Sequence, residues 1–519
     1  MNLYQVARLM AGFAGVFTLA QLPPLLVALS EDNRSALSPC TGFLTSMAIG
    51  AAVAAALWLA GRRDRSQVFR KETIAVAGLS WFLAGALGGI PFLVAGLFAT
   101  PIDAFFEAMS GLTTCGATVL ASGGNMRIEA VPASLLLWRA QMQWIGGIGI
   151  VLVFVALLPA LGVSAKNLLS SESVGVHTDS FQPRAVEKAR QVAILYLGMT
   201  TVCALLLVAI GGFGWFDAIC HAFTAMATGG YSTRASVGHF DSLGGEIVLT
   251  CFMFLAGASL ALMATNLRSG ARCVTTLCRS AEFRMYLLST LVVIGVLTFS
   301  LVRAGRSFGD SLRAATFNGV SVLTSTGYAT ADYHVWPTTA LLVLFAAMFV
   351  GGCSGSTAGG FKQVRLLVCL RLLGYTLRQF VRPKSVERIK LDNEVLPAAV
   401  ISTILAIVLL WIVTILVGAF LISFDERLNF VAALAISASM VGSCGPAMTV
   451  VDPASASEVL LHGGTAVADT LAGTPNVGPF GGYGELHGWT KLLLAVEMVF
   501  GRLELLTVLA LFSPNFWRR

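Results

Sequence analysis

Charge is what this sequence has least of. Asp, Glu, Lys and Arg make up 12% of its 519 residues against 56% hydrophobic ones, and the mean hydropathy is +0.80. A soluble domain carries roughly 25% charged residues, so a single aqueous globule is excluded and much apolar surface has to meet lipid. There is no GxxxxGKS/T stretch, which excludes a built-in ATP engine. The glycines of WIGGIGI (144–150) have no preceding strand and no ribose-binding acid after them, so they read as close helix contacts rather than a nucleotide loop. The 10 cysteines are scattered, mostly inside apolar runs, and no pair has metal-ligand spacing. They read as reduced, small apolar residues. The chain leaves no room for a signalling domain, which argues against a non-conducting sensor or receptor.

What is present is a series of apolar runs, at 3–29, 40–60, 73–100, 133–162, 191–215, 246–267, 284–303, 337–370, 396–422 and 489–512. Each reaches the roughly 20 residues that a helix needs to cross a hydrocarbon layer. The net charge of +7 is uneven: Lys and Arg gather at 61–72, 163–190, 268–284, 371–393 and the tail WRR. The positive-inside bias puts these segments and both termini in the cytoplasm. Because the basic residues sit at helix ends along the whole chain, a nucleic-acid patch is not expected.

A repeat runs through the chain. PIDAFFEAMSGLTTCGATVL, WFDAICHAFTAMATGGYST, FGDSLRAATFNGVSVLTSTGYATADY and SFDERLNFVAALAISASMVGSCGPAM each give an acid, a short amphipathic segment and a Gly-centred polar loop between long apolar helices. Aligning Gly116, Gly229, Gly327 and Gly445 spaces the copies 113, 98 and 118 residues apart. The segments between acid and glycine are too short or too polar for full spans and read as re-entrant half-helices. Asp103, Asp217, Asp310 and Asp425 stand where N-caps are expected. Each half-helix then points a partly negative C-terminal end at the membrane middle, where four of them favour a cation. Non-helical backbone at that depth is tolerated where it lines a water-filled path, and a ring of carbonyl oxygens replaces an ion's hydration shell. The expected filter triplets are Thr114-Cys115-Gly116, Ala227-Thr228-Gly229, Ser325-Thr326-Gly327 and Ser443-Cys444-Gly445. A broken-helix transporter of organic solutes is the alternative from another class, but it predicts two-fold inverted repeats rather than four parallel copies.

At these residues the chain resembles the Trk/Ktr potassium-uptake superfamily, most closely its TrkH branch. WRAQMQWIGGIGIVLVFVALLPALGV (138–163), ESVGVHTDSFQPRAVEKA (172–189), LTSTGYATADYHVWP (323–337), MFVGGCSGSTAGGFKQVRL (348–366) and FGRLELLTVLALFSPNFWRR (500–519) carry the likeness in order along nearly the whole chain. The resemblance implies a pore subunit for K⁺ that dimerises in the membrane and docks a cytosolic, nucleotide-binding, TrkA-like regulatory subunit on its basic connectors. It also implies a bacterial inner-membrane location and no organic cofactor on this chain. Cys115 and Cys444 depart from the family's usual residues before the filter glycine, which leaves Na⁺ or mixed K⁺/Na⁺ transport by the same fold as an alternative.

The stretch GGCSGSTAGG (351–360) interrupts the run 337–370 with helix-weak residues. The resemblance makes it an intramembrane gating loop beneath the filter, with Gly351, Gly352, Ser354, Gly355, Ser356, Thr357, Gly359 and Gly360. Arg502 lies midway down the last apolar run, near Glu497 and Glu504, and a charge at that depth faces a cavity or a partner. In the family it is a barrier to cation flow under the filter. Arg139 and Lys491, near helix ends, are expected to snorkel to the interface.

The expected architecture is an all-α polytopic membrane protein. A helix pair at 1–62 precedes four helix–re-entrant pore helix–filter–helix repeats around a pseudo-fourfold pore, at 63–165, 166–270, 271–370 and 371–519. A long Gly-rich extracellular loop, 449–488, lies in the last of them. The chain is read as a transporter or channel, not an enzyme.

Overall fold

A computed structural model describes residues 1–31, 37–62, 70–120, 125–157, 181–266, 271–383, 389–392, 394–448, 475–503 and 505–517. Much of the connector 172–189, most of the loop 449–488, Glu504 and the terminal Arg pair lie outside the described residues. Apart from a two-residue antiparallel hairpin, β1 (Lys390–Leu391) with β2 (Glu394–Val395), the regular structure among the described residues is helical.

The N-terminal pair is α1 (Leu3–Leu19), continued after a break by α2 (Leu22–Ser30), and α3 (Pro39–Gly61). The break falls where Pro23 and Pro24 occupy the first turn of α2, positions at which a missing N–H costs nothing. Repeat one follows with α4 (Arg70–Val94), the short α5 (Pro101–Leu112) and α6 (Ala133–Leu157). Repeat two has α7 (Phe181–Ala209), the short α8 (Trp215–Met226), α9 (Leu243–Gly257) and α10 (Leu260–Asn266). After α11 (Ala271–Arg279), repeat three has α12 (Ala281–Arg303), the short α13 (Phe308–Leu323) and α14 (Thr338–Val350). The basic α15 (Gln363–Val381) leads to repeat four: α16 (Ala398–Ile422), the short α17 (Phe430–Gly442), α18 (Gly488–Arg502), α19 (Leu505–Phe512) and α20 (Pro514–Trp517).

Among the described residues, six helical stretches are long and apolar enough to cross a membrane: Leu3–Ser30, Pro39–Gly61, Lys71–Val94, Glu187–Ala209, Ala281–Arg303 and Ala398–Ile422. On α16 the apolar residues Leu405, Leu409, Val413, Leu416 and Phe420 are exposed, as lipid-facing residues are. The runs 246–267 and 489–512, expected as spans, are broken, at Ala258 and at Leu503, and 337–370 is interrupted from Gly351. The four short helices hold 12, 12, 16 and 13 residues. At about 1.5 Å per residue none reaches the roughly 30 Å of a bilayer core.

These short helices form the centre, and the packing around them closes. Helix α6 packs on both α5 and α8, α9 on both α8 and α13, α14 on both α13 and α17, and α18 on both α17 and α5. Each repeat's last helix therefore wedges between its own short helix and the next one, and the fourth returns to the first.

The N-cap expectation needs correction. The caps are Thr100, Gly214, Ser307 and Asn429. Asp103 and Asp310 lie three residues inside, their N–H groups bonded to the Thr100 and Ser307 hydroxyls at 3.1 and 3.2 Å, while those hydroxyls donate to the carboxylates at 2.8 and 2.7 Å. A short hydroxyl reaches the third N–H, and the carboxylate stays in the first turn, where the helix dipole favours it. Asp217 likewise is the third residue of α8. Asp425 precedes α17 altogether and accepts from the Thr490 hydroxyl (3.0 Å) and the His487 N–H (3.2 Å) at the start of α18.

Candidate functional site: four backbone bends and the loop beneath them

Each short helix ends in the same way. The residue two before the bend glycine takes a left-handed conformation, with φ of 54° at Thr114, 51° at Thr228, 53° at Ser325 and 53° at Ser443. The next N–H turns back five residues to Ser110, Thr224, Ser321 or Ser439, at 3.0, 2.8, 2.8 and 2.9 Å. Two residues after the left-handed position comes a glycine with positive φ: Gly116 (85°), Gly230 (79°), Gly327 (83°) and Gly445 (90°).

This corrects the register in repeat two. The glycine equivalent to Gly116, Gly327 and Gly445 is Gly230, not Gly229, and the triplet is Thr228-Gly229-Gly230, with Ala227 still capping the helix. Gly229 is small for another reason. A Cβ there would strike the side-chain amide of Gln143, which reaches in from α6. Gln143, fully buried, donates to the Gly229 carbonyl at 2.6 Å and accepts from the Tyr231 N–H at 3.1 Å, spanning the bend.

The four bends meet. A Cβ added to Gly116 would overlap the carbonyl oxygen of Gly229; one on Gly230, that of Thr326; one on Gly327, that of Cys444; and one on Gly445, that of Cys115. Each glycine thus abuts the residue before the next repeat's glycine, and the fourth contact closes the circuit. All four glycines line one cavity. Of the levels from 113 to 117 and their counterparts, some carbonyls accept hydrogen bonds: Gly229 from Gln143, Gly445 from Tyr483 (2.7 Å), Tyr328 from Ser321 (2.7 Å), Pro446 from Ser439 (2.9 Å). Among the described residues, the carbonyls of Thr114, Thr228, Ser325 and Ser443 accept none.

Cys115 and Cys444 turn their side chains away from that cavity. Cys115 Sγ lies 3.8 Å from Met440 Sδ on α17, and Cys444 Sγ lies 4.0 Å from the Val322 carbonyl oxygen on α13. Both residues are fully buried, so each thiol fills space between short helices.

Two buried ion pairs hold the bends from behind. Arg139 and Lys491 do not snorkel. Arg139 is buried against Glu107 of α5 at 2.8 Å and lies 4.0 Å from the centre of the Tyr231 ring. Glu107 also accepts from the Thr118 hydroxyl and the Val119 N–H, both at 2.9 Å, tying the chain beyond the first bend to its own helix. Lys491 is buried 2.5 Å from Asp103. A charge that costs several kcal/mol to desolvate alone is retained where it is paired. Both partners are acids of α5: Asp103 is the one read as a cap, and Glu107 lies one turn further along the same helix. Outside the spans, burial holds the His334 imidazole below its usual pKa, with Asp332 acting in the opposite direction.

Beneath the bends, residues 351–362 form an irregular passage between α14 and α15, turning at Gly351, Gly355 and Gly360, all with positive φ. Its Gly359 N–H donates to the Ser325 hydroxyl at 2.5 Å, and its Thr357 hydroxyl to the Met226 carbonyl at 2.9 Å. The break in repeat two supplies acceptors: the Gly257 carbonyl takes the Cys353 N–H at 2.8 Å and that of Ala256 takes Thr357 N–H at 3.3 Å. The break in repeat four supplies a cation: Arg502, buried, donates to the Thr357 carbonyl at 2.7 Å and lies 3.5 Å from that of Gly146. Ser354 lies further out, its N–H on Glu282 at 2.5 Å, and Ser356 bonds within the loop to the Cys353 carbonyl at 2.6 Å. Gly352 packs on the break in repeat two. Glu497 hydrogen-bonds Ser437 at 3.1 Å.

A ring of four re-entrant helices inside spanning ones defines a polytopic helical membrane pore. The family model described as a cation transport protein, TrkH, matches residues 41–456, and the chain belongs to that family, a family of transporters rather than enzymes. It is similar over 100% of both chains to the Trk system potassium uptake proteins TrkH of Halomonas elongata (32% identical) and Escherichia coli (31%). TrkG of Escherichia coli is 29% identical over 99% of each chain. The crystal structure of the potassium transporter TrkH from Vibrio parahaemolyticus superposes with a TM-score of 0.84 at 28% identity, covering 100% of both chains.

Proposed function

We propose that this chain is the pore subunit of a potassium uptake system, conducting K⁺ past the four bends. The observation that carries the reading is the closed circuit in which each bend glycine abuts the next repeat's carbonyl. Backbone oxygens brought together at the ends of four helices, whose dipoles are partly negative there, are chemistry for a dehydrated monovalent cation. The ring at Thr114, Thr228, Ser325 and Ser443 is the level at which all four oxygens are free to face the ion. The outward thiols of Cys115 and Cys444 favour a filter of main-chain oxygens. The relatives' names as potassium uptake proteins point to K⁺ as the ion. Residues 351–360 act as the gate, held shut by Arg502. The basic connectors and both termini face the cytoplasm of a bacterial inner membrane, where two copies pair and a nucleotide-binding regulatory subunit docks.

The experiment is rescue of a bacterium lacking potassium uptake at low external K⁺. The chain restores growth and Gly327→Ser does not, because φ there is 83° and any Cβ meets main chain. Equal rescue by both would sink the filter.

A further inference from the structure

The long loop after the fourth bend had no role in the sequence reading, yet its described end, residues 475–487, lies against the filter. Val477 accepts the Ala447 N–H at 2.8 Å, and Asn476 turns the segment by accepting from Gly478 on its side chain (3.0 Å) and from Gly482 on its carbonyl (2.9 Å). The turn delivers Tyr483, only 2% exposed, to the junction of repeats four and one. There its N–H donates to the Thr118 carbonyl of repeat one at 2.8 Å. Its hydroxyl donates to the Gly445 carbonyl of repeat four at 2.7 Å, and its ring packs 5.8 Å from that of Phe106 on α5.

Two other junctions use a tyrosine that directly follows the bend glycine. Tyr231, after Gly230, reaches back to repeat one and bonds the Ala117 and Glu107 carbonyls at 3.1 and 3.0 Å. Tyr328, after Gly327, reaches back to repeat two, to the Thr224 hydroxyl and the His221 carbonyl. The residue that would reach from repeat one to repeat four is Ala117, which has no hydroxyl. Tyr483 occupies that junction instead.

We infer that Tyr483 is a positioning residue for ion selectivity, and that segment 475–487 is part of the filter rather than a surface excursion. Its hydroxyl fixes the Gly445 carbonyl while its N–H fixes the strand beyond Gly116, setting the separation of the two bends. This rests on the filter reading above. The test uses the full chain in proteoliposomes and measures the ratio of rubidium to sodium uptake. Tyr483→Phe keeps the ring and removes the donor; the ratio falls roughly two- to tenfold, the size of one lost hydrogen bond, while rubidium still passes. Asn476→Ala, which loosens the turn without touching the four bends, shifts the ratio the same way and serves if the first variant does not accumulate. Tyr333→Phe, which removes a buried hydroxyl with no hydrogen-bond partner among the described residues, leaves the ratio unchanged. A selective wild type whose ratio survives both Tyr483→Phe and Asn476→Ala overturns this inference alone. A wild type that passes both ions equally overturns the filter reading itself.

Discussion

In repeat two the bend at Gly230 is held from behind by Gln143, an amide from the preceding repeat, whereas in repeat four the bend at Gly445 is held by Tyr483, a phenol from the loop that follows it. The main-chain path is nevertheless the same, with left-handed Thr228 matching Ser443 and the same five-residue turn back to a Ser or Thr. The shape of the bend is thus local, written in the end of each short helix, and the support is whatever the neighbouring chain brings. The same two repeats differ below the bends. The break in repeat two offers carbonyls to the loop 351–362, and the break in repeat four offers the Arg502 guanidinium.

The largest effect expected separates two adjacent glycines. Gly230→Ala and Gly445→Ala abolish rubidium uptake, since a side chain there pays about 1–2 kcal/mol for the left-handed conformation and meets a main-chain oxygen besides. Gly229→Ala, which meets only the end of the Gln143 side chain, keeps uptake within roughly tenfold of the wild type, consistent with the cost of displacing one hydrogen bond. Equal loss at Gly229 and Gly230 would break the register on which the comparison stands. Next in size, Arg502→Ala frees the Thr357 carbonyl and raises flux roughly tenfold or more, as a charged hydrogen bond is removed; unchanged flux in proteoliposomes would take Arg502 out of gating. Smallest is Cys444→Ala. Its thiol points between helices, so the rubidium-to-sodium ratio holds within about twofold and only a packing loss of about 1 kcal/mol appears, as a lower melting temperature. A large change in ratio would show that side chains, not main chain alone, shape the path.

Much of this was legible in the sequence because it is local or periodic. The four-copy order, the short helices and the interruption at 351–360 all follow from lengths and breaker residues. What was not legible depended on conformation or on distant partners. ATGG offers two glycines, and only φ tells that Gly230 rather than Gly229 turns the chain. A carboxylate near a helix start reads as a cap, but a short hydroxyl three residues earlier does that work in repeats one and three. Arg139 and Lys491 looked like interfacial residues because their partners, Glu107 and Asp103, are 32 and 388 positions away. Nothing in the sequence tells which way the Cys115 and Cys444 side chains turn, and both thiols lie against neighbouring short helices.

The junction of repeats four and one has a consequence for how the protein is made. Lys491 meets Asp103 across 388 positions, α18 packs on α5, and Tyr483 ties Thr118 to Gly445. A chain inserted from its first helix onward therefore leaves the ring of bends open between repeats four and one until residues 483–491 reach the membrane. Assembly of the ring is thus tied to insertion of the fourth repeat, and three repeats alone hold no closed circuit of bends.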